Sequence, residues 1–140
     1  MRHIIFSVIA VLSLSASTLL AQDNPEDSLS KQFHECVEMG GVRERIICIG
    51  DETERQDARL NTLYKQLFQM ESEDRKTMLR SAQRNWIKYK EEWINYVTGL
   101  GDGDMLIQET ASFTFMMMTV QQADNLQAVI DNHIYLKNNS

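Results

Sequence analysis

A chain of 140 residues with 43% hydrophobic and 24% charged residues is long enough for one globular domain and too apolar to be disordered throughout. Its 20 acidic residues outnumber its 14 basic ones, and the net charge of −6 disfavours nucleic acid and favours a basic partner. One Pro and six Gly are too few for the many tight turns of an all-β protein.

The N-terminal segment is typical of a secretory signal peptide. A basic start precedes an almost unbroken apolar run over residues 4–14, and small residues follow up to Ala21. Such a run is too short to span a bilayer and has the length of a leader's apolar region. We predict a signal peptide at 1–21 and an exported domain at 22–140, located in the periplasm or secreted. Cleavage after Ser17 and an uncleaved anchor helix are the alternatives.

The two cysteines predict a disulfide near the N-terminus of the exported domain. Cys36 and Cys48 are 12 residues apart, and Gly40 and Gly41 lie between them. Because exported proteins meet an oxidising compartment, such a pair is most simply a structural bridge. The glycines would let the chain reverse, so that the bridge joins two helical segments. Closing so short a loop stabilises a fold by about 3 kcal/mol in the chain-entropy model.

The rest of the chain predicts a small all-α bundle of about four helices. Helical segments are expected near residues 28–39, 42–70, 72–98 and 105–136, separated by glycine-containing breaks. Apolar residues recur every three or four positions, which is typical of helices that bury one face. The expected apolar stripes consist of Leu29, Phe33, Val37, Leu60, Leu63, Tyr64, Leu67, Phe68, Leu79, Ala82, Trp86, Tyr89, Trp93, either Tyr96 or Val97, Phe113, Met117, Val120, Leu126, Val129 or Ile130, and Ile134.

The catalytic inventory predicts a protein that is not an enzyme. The sequence has no Gly-x-Ser-x-Gly elbow, phosphate-binding loop or His-Glu-x-x-His motif. Glu91 and Glu92 are adjacent, so on a helix they point in different directions and cannot form the paired acids of a glycosidase. No cofactor is expected.

A methionine run leaves one alternative, a copper-handling protein. Residues 116–118 are all Met, thioethers bind Cu(I), and His34 and His133 could add ligands. Three consecutive side chains fan over about 200° on a helix, however, so they cannot all face one ion. We therefore predict a core or contact role for the methionines and no metal site.

The loop at 99–104 is a candidate contact surface. It contains Asp102 and Asp104 among three glycines, and it lacks the carboxylate spacing of a calcium-binding loop. We expect an exposed acidic connection between two helices that could enter the cleft of a partner.

Three sequence pieces together resemble the LprI-like lysozyme inhibitor family of bacterial exported proteins. The first is the Cys36-x11-Cys48 pair. The second is DARLNTLYKQL at 57–67, which is similar to the family pattern aDxxLNxxYxxL. The third is LRSAQRNWIKYK at 79–90, which is similar to LrxAQRxWixyRd. The resemblance is good over about residues 33–98 and loose in the last helix.

The resemblance implies a protein that binds a peptidoglycan-cleaving muramidase and blocks its cleft. Removing residues 1–21 takes away one Arg and no acid, so the charge falls from −6 to −7, which suits a basic lysozyme. The expected contacts are Asp102 and Asp104, with Glu91 and Glu92 as rim charges. A general envelope interaction or immunity protein is a further alternative.

Most residues of the shared motif are expected to serve the fold. The apolar members would line facing helix stripes, and the polar members could hydrogen-bond across the helices. The motif residues are Leu60, Asn61, Tyr64, Leu67, Ala82, Gln83, Arg84, Trp86 and Tyr89. Relatives usually carry a second Cys pair and an Arg in the last helix, where this sequence has Ile94, about Thr114, and Gln122.

Overall fold

A computed structural model describes residues 25–140. A 3₁₀ turn at Pro25–Ser28 leads into four α-helices, and the described residues form no strand. The helices are α1 (Lys31–Glu38), α2 (Val42–Met70), α3 (Glu73–Thr98) and α4 (Met105–Asn138). The predicted all-α bundle of about four helices is therefore confirmed. The predicted signal peptide lies outside the described residues.

Local sequence signals set the helix boundaries. The Ser30 hydroxyl accepts a hydrogen bond from the Phe33 amide at 3.1 Å and caps α1. Asp104 caps α4 in the same way, through the amides of Leu106 at 2.8 Å and Ile107 at 3.1 Å. Gly103 has φ of 79°, a left-handed conformation that favours glycine and lets the chain turn into α4.

Helices α2 and α4 run parallel, and α3 runs antiparallel to both. Two ion pairs and a contact between His133 and Glu71, the residue that follows α2, mark the register between α2 and α4 along the bundle. The ion pairs are Arg45–Glu109 and Arg59–Asp124 at 2.7 Å, and the His133–Glu71 distance is 3.0 Å. Helix α1 packs on the N-terminal part of α2, and the 3₁₀ turn packs on α4.

The core lies mainly between α2 and α4. Its larger cluster consists of Leu60, Leu63, Leu67, Ala123, Leu126 and Ile130, against which Tyr64, Leu79 and Trp86 pack. A second cluster beneath α1 consists of Phe33, Cys48, Ile49 and Met116. Each fully buried aliphatic side chain contributes about 1.5–3 kcal/mol by leaving water, so this seam provides most of the stability.

The Cys36–Cys48 disulfide attaches α1 to α2, as predicted. The two Cα atoms are 5.9 Å apart, within the ordinary range for a bridge. The bridge belongs to the second core cluster, because Cys48 is buried and Cys36 packs beside it. The short helix α1, which is too short to be stable alone, is therefore held to the bundle covalently and by packing.

A buried carboxylate ties the start of α1 to α2. Glu52 is fully buried and accepts hydrogen bonds from the Ser30 amide at 3.1 Å and the Ser30 hydroxyl at 2.6 Å. Gln56 Nε2 and Arg55 Nε each donate to it at 2.8 Å. Burial favours a higher pKa for Glu52, but these hydrogen bonds outweigh it and hold the pKa below the usual value.

The predicted core of α4 is correct in its centre and wrong at its margins. Val120, Leu126 and Ile130 are buried, whereas Phe113, Val129 and Ile134 are substantially exposed. The structure buries a set of smaller or adaptable side chains instead, namely Ala111, Met116, Thr119 and Ala123. Small residues let α4 approach its neighbours closely, which a search for large apolar residues cannot detect.

Candidate functional site

The inward face of α3 contains a buried lysine. Lys90 is 6% exposed, and its Nζ lies 4.4 Å from the ring centroid of Trp86 and 3.9 Å from that of Phe115. The same Nζ donates a hydrogen bond to Thr119 Oγ1 at 3.4 Å. Burial lowers the pKa of Lys90. The two ring faces partly replace water around the cation, so the lysine helps to dock α3 on α4.

A second apolar face of α3 points to solvent. We call Tyr89, Trp93, Tyr96 and Leu100 the aromatic stripe; the first three lie on α3 and Leu100 follows its end. The spacing of four and three residues aligns the three aromatic side chains along one side of the helix. The exposed fractions of the four residues are 57%, 43%, 61% and 63%. The sequence predicted one apolar stripe through Tyr89, Trp93 and either Tyr96 or Val97. The structure exposes the three aromatic residues and buries Val97.

The four predicted acidic contact residues have different surroundings. Asp102 is exposed in the loop before α4. Asp104 is also exposed, but its carboxylate caps α4. Glu91 and Glu92 are exposed on α3, and Glu92 lies 3.8 Å from Lys88. Among these four, Asp102 and Glu91 are the acids that neither cap a helix nor lie in a described ion pair, and Asp102 is the one in the loop.

An apolar groove of about 450 Å³ lies between the N-terminal part of α2, the end of α3 and the start of α4. Its lining consists of Ile46, Ile49, Gly50, Thr53, Ile94, Thr98, Gln108, Ala111, Ser112 and Phe115. None of these described lining residues has an ionisable side chain, so the groove provides apolar contact surface rather than a site for acid–base chemistry.

The residues of the copper alternative are dispersed. Met116 is fully buried in the cluster beneath α1, and Met117 packs against that cluster. His34 lies on α1 near the N-terminal part of α2, whereas His133 contacts Glu71 beyond the C-terminal end of α2. Within residues 25–140, no three His, Cys, Asp or Glu side chains come together as a metal site would require.

The sequence model of a family described as "Lysozyme inhibitor LprI" matches residues 36–131. The chain belongs to the LprI lysozyme inhibitor family. No curated protein and no solved structure matches it. The matched region of this LprI protein runs from the first disulfide cysteine to the C-terminal part of α4, so it includes the core seam, the aromatic stripe and the acidic loop.

The apolar LprI motif residues mostly serve the core. Leu60 and Leu67 are buried, and Tyr64 and Trp86 pack against them. Ala82 is exposed. Ala82 and Tyr89 therefore both depart from the predicted facing stripe, and the ring of Tyr89 belongs to the aromatic stripe.

Of the three polar LprI motif residues, one hydrogen-bonds across the helices and two are exposed. Gln83 accepts a hydrogen bond from Gln122 of α4 at 3.0 Å, as expected for a polar residue in a helix seam. Asn61 is exposed and bonds within α2 to Asp57 at 3.0 Å, so it does not cross the helices. Arg84 is exposed on α3.

The family departures occupy ordinary structural positions. Gln122, where relatives usually carry Arg, makes the bond to Gln83. Ile94 lines the apolar groove. Thr114 donates a hydrogen bond to the Thr110 carbonyl of its own helix at 2.8 Å.

None of the helices in the described region combines the length and the apolar character that crossing a membrane requires.

Proposed function

We propose that the protein is exported to the bacterial periplasm or beyond, binds a basic lysozyme-type muramidase, and blocks peptidoglycan cleavage. The match to the lysozyme inhibitor family over residues 36–131 is the observation that carries this proposal. The Cys36–Cys48 bridge supports export, because structural disulfides persist in oxidising compartments.

The charge of the chain supports a basic target. At a net charge of −6, the protein attracts a basic enzyme over a distance of about one Debye length, roughly 8 Å at physiological salt. Such attraction accelerates association and favours correct orientation more than it adds affinity. Salt should therefore slow association more than it speeds dissociation.

Asp102 is our proposed acidic contact in the loop, with Asp104 beside it and Glu91 and Glu92 at the rim. The loop connects two long helices at one end of the bundle and its residues 102–104 are exposed, so a partner could contact it without disturbing the core. Asp104 already caps α4, so Asp102 is the better residue for testing electrostatic contact.

The test measures inhibition and binding kinetics together. The protein is expressed from its full-length gene, purified with its disulfide formed, and added to a basic c-type lysozyme and a g-type lysozyme digesting labelled peptidoglycan. Stoichiometric inhibition of either enzyme supports the proposal. If neither enzyme is inhibited, the proposal is contradicted for these two classes of lysozyme. Asp102→Asn should slow association several-fold at low ionic strength.

Asp131→Asn is the matched control for that variant. Asp131 is exposed near the C-terminal end of α4, at the opposite end of the bundle, and its replacement removes the same charge. An equal effect of both substitutions would indicate that only the net charge matters. Such a result would exclude a specific contact by the loop.

A further inference from the structure

The aromatic stripe combines large apolar area with preorganised geometry. The rings of Trp93 and Tyr96 pack on each other with centroids 5.6 Å apart and planes tilted by 37°, a favourable arrangement for an aromatic pair. Because each ring restrains the other and the backbone is helical, a partner would order few additional torsions on contact. Its three aromatic members extend for about 10 Å along the helix axis.

The composition of the stripe is that of an interface centre. Trp and Tyr are enriched among the residues that dominate binding energy, and charged residues typically surround such a centre at the rim. Glu92 lies one turn from Tyr89 and Tyr96 on α3, and Asp102 follows Leu100 closely in the loop. An apolar centre with an acidic edge therefore occupies one flank of α3.

The charges around the stripe favour a basic protein over a second copy of this chain. Lys88 lies 3.8 Å from the Glu92 carboxylate and offsets part of its charge, so the acidic edge depends mainly on Asp102. Two copies would each bring a net charge of −6 and repel one another. A basic protein would instead gain attraction as it approached.

We propose that the aromatic stripe is the energetic centre of the surface that binds the basic muramidase, and that Glu92 and Asp102 border it. This inference rests on the proposed function, and it identifies the face of the protein that contacts the muramidase. The acidic loop then steers and borders the complex, while Trp93 and Tyr96 supply most of the affinity.

The experiment measures the dissociation constant for the basic c-type lysozyme by surface plasmon resonance, with the disulfide-bonded protein and its variants. Trp93→Ala should weaken binding by about 30-fold, the minimum expected for a hot-spot aromatic residue. Tyr96→Ala should weaken it by at least about 5-fold. Both changes should appear mainly as faster dissociation, because apolar contacts form after encounter.

Tyr135→Ala is the matched control. Tyr135 is 66% exposed, close to the 61% of Tyr96, but it lies near the C-terminal end of α4, at the other end of the bundle. Its replacement should leave lysozyme binding unchanged. Circular dichroism and thermal unfolding check that each variant folds, and Tyr96→Ala tests the stripe even if Trp93→Ala destabilises the protein.

The outcomes separate this inference from the proposed function. If Trp93→Ala and Tyr96→Ala both bind lysozyme with the wild-type dissociation constant, the stripe is not the energetic centre of the interface, and the proposed inhibitor function is unaffected. Wild-type failure to bind or inhibit either lysozyme class would overturn both. Sedimentation that shows a dimer lost in Tyr96→Ala, with lysozyme binding unchanged, would assign the stripe to self-association and overturn the inference.

Discussion

The α2–α4 seam and the outer flank of α3 both present apolar side chains at helical spacing, but only the seam is covered. In the seam, Leu67 is 2% exposed and Ile130 is 0% exposed. On the flank of α3, the aromatic stripe is left in contact with water. Similar patterns in the sequence therefore produce stability in one place and an available surface in the other.

The difference follows from how each helix is held. Helix α2 and helix α4 are joined along their length by apolar packing, by two ion pairs and by the contact between His133 and Glu71. Helix α3 is held through one face, where Trp86 and Lys90 meet α4. A helix attached by one face leaves its other faces open, so changes on the α3 flank should affect binding while changes in the seam should affect unfolding.

The largest expected effect is a cavity in the seam. Ile130→Ala removes a fully buried side chain and should lower the free energy of unfolding by about 3–4 kcal/mol, measured by urea denaturation. Ile134→Ala, one turn further along α4 at a residue that is 45% exposed, should cost less than about 1 kcal/mol. Equal costs would show that the seam is not the main source of stability.

Loss of the disulfide should have the next largest effect. Replacing Cys36 and Cys48 by Ser should lower the free energy of unfolding by about 3 kcal/mol, because the unfolded chain regains the entropy of a closed loop. Helix α1 should show faster amide hydrogen exchange than α4 in this variant. Lysozyme binding at 20 °C by the folded fraction should persist, since the stripe lies on α3.

The buried carboxylate should make stability depend on pH. The folded-state pKa of Glu52 is lowered, so its contribution is present above the unfolded-state value of about 4.3 and is lost as pH falls through the folded-state value. Glu52→Gln should cost about 2 kcal/mol at pH 7, and its difference from wild type should shrink below about pH 4.

The matched control for Glu52 is the exposed Glu54. Glu54→Gln should change the free energy of unfolding by no more than about 0.5 kcal/mol at either pH, since surface substitutions of this kind have small effects. A Glu52→Gln cost that persists undiminished in acid would mean that shape rather than charge holds α1.

The sequence predicted the helices well because their signals are local. The observed α2, Val42–Met70, has the predicted bounds, and α3 and α4 differ from prediction by no more than two residues at either end. Glycine breaks and capping residues act within one turn of the backbone, so they can be read without knowledge of tertiary structure. The disulfide was predictable for a similar reason, since the sequence contains one possible pair.

The inward face of α3 was not predictable from hydrophobicity. The more apolar of two overlapping stripes contains Tyr89 and Trp93, and it was expected to be buried. The stripe that faces α4 contains Gln83 and Lys90, whose side chains hydrogen-bond to Gln122 and Thr119 of α4. Such compensation depends on contacts between residues far apart in the chain, which a single helical pattern does not contain.

Substitutions in the acidic loop should have the smallest effects on the free energy of unfolding, and they separate the capping role of Asp104 from the contact role of Asp102. Asp104→Ala should lower the free energy of unfolding by about 1 kcal/mol, because two amides at the start of α4 lose their acceptor. Asp104→Asn should cost less than half of that, since Asn also caps helices well. Asp102→Ala should leave stability within about 0.5 kcal/mol of wild type, because its side chain lies exposed in the loop.

Chemical denaturation combined with association rates measures both roles of the loop. Asp104→Asn and Asp102→Asn each remove one negative charge from the loop. If Asp104 acts as the cap and Asp102 as the contact, the two substitutions should have different effects on the association rate. Asp102→Asn should then reduce the association rate with a basic lysozyme more than Asp104→Asn does. The reverse order would assign the contact to Asp104, so that one carboxylate would both begin α4 and meet the partner.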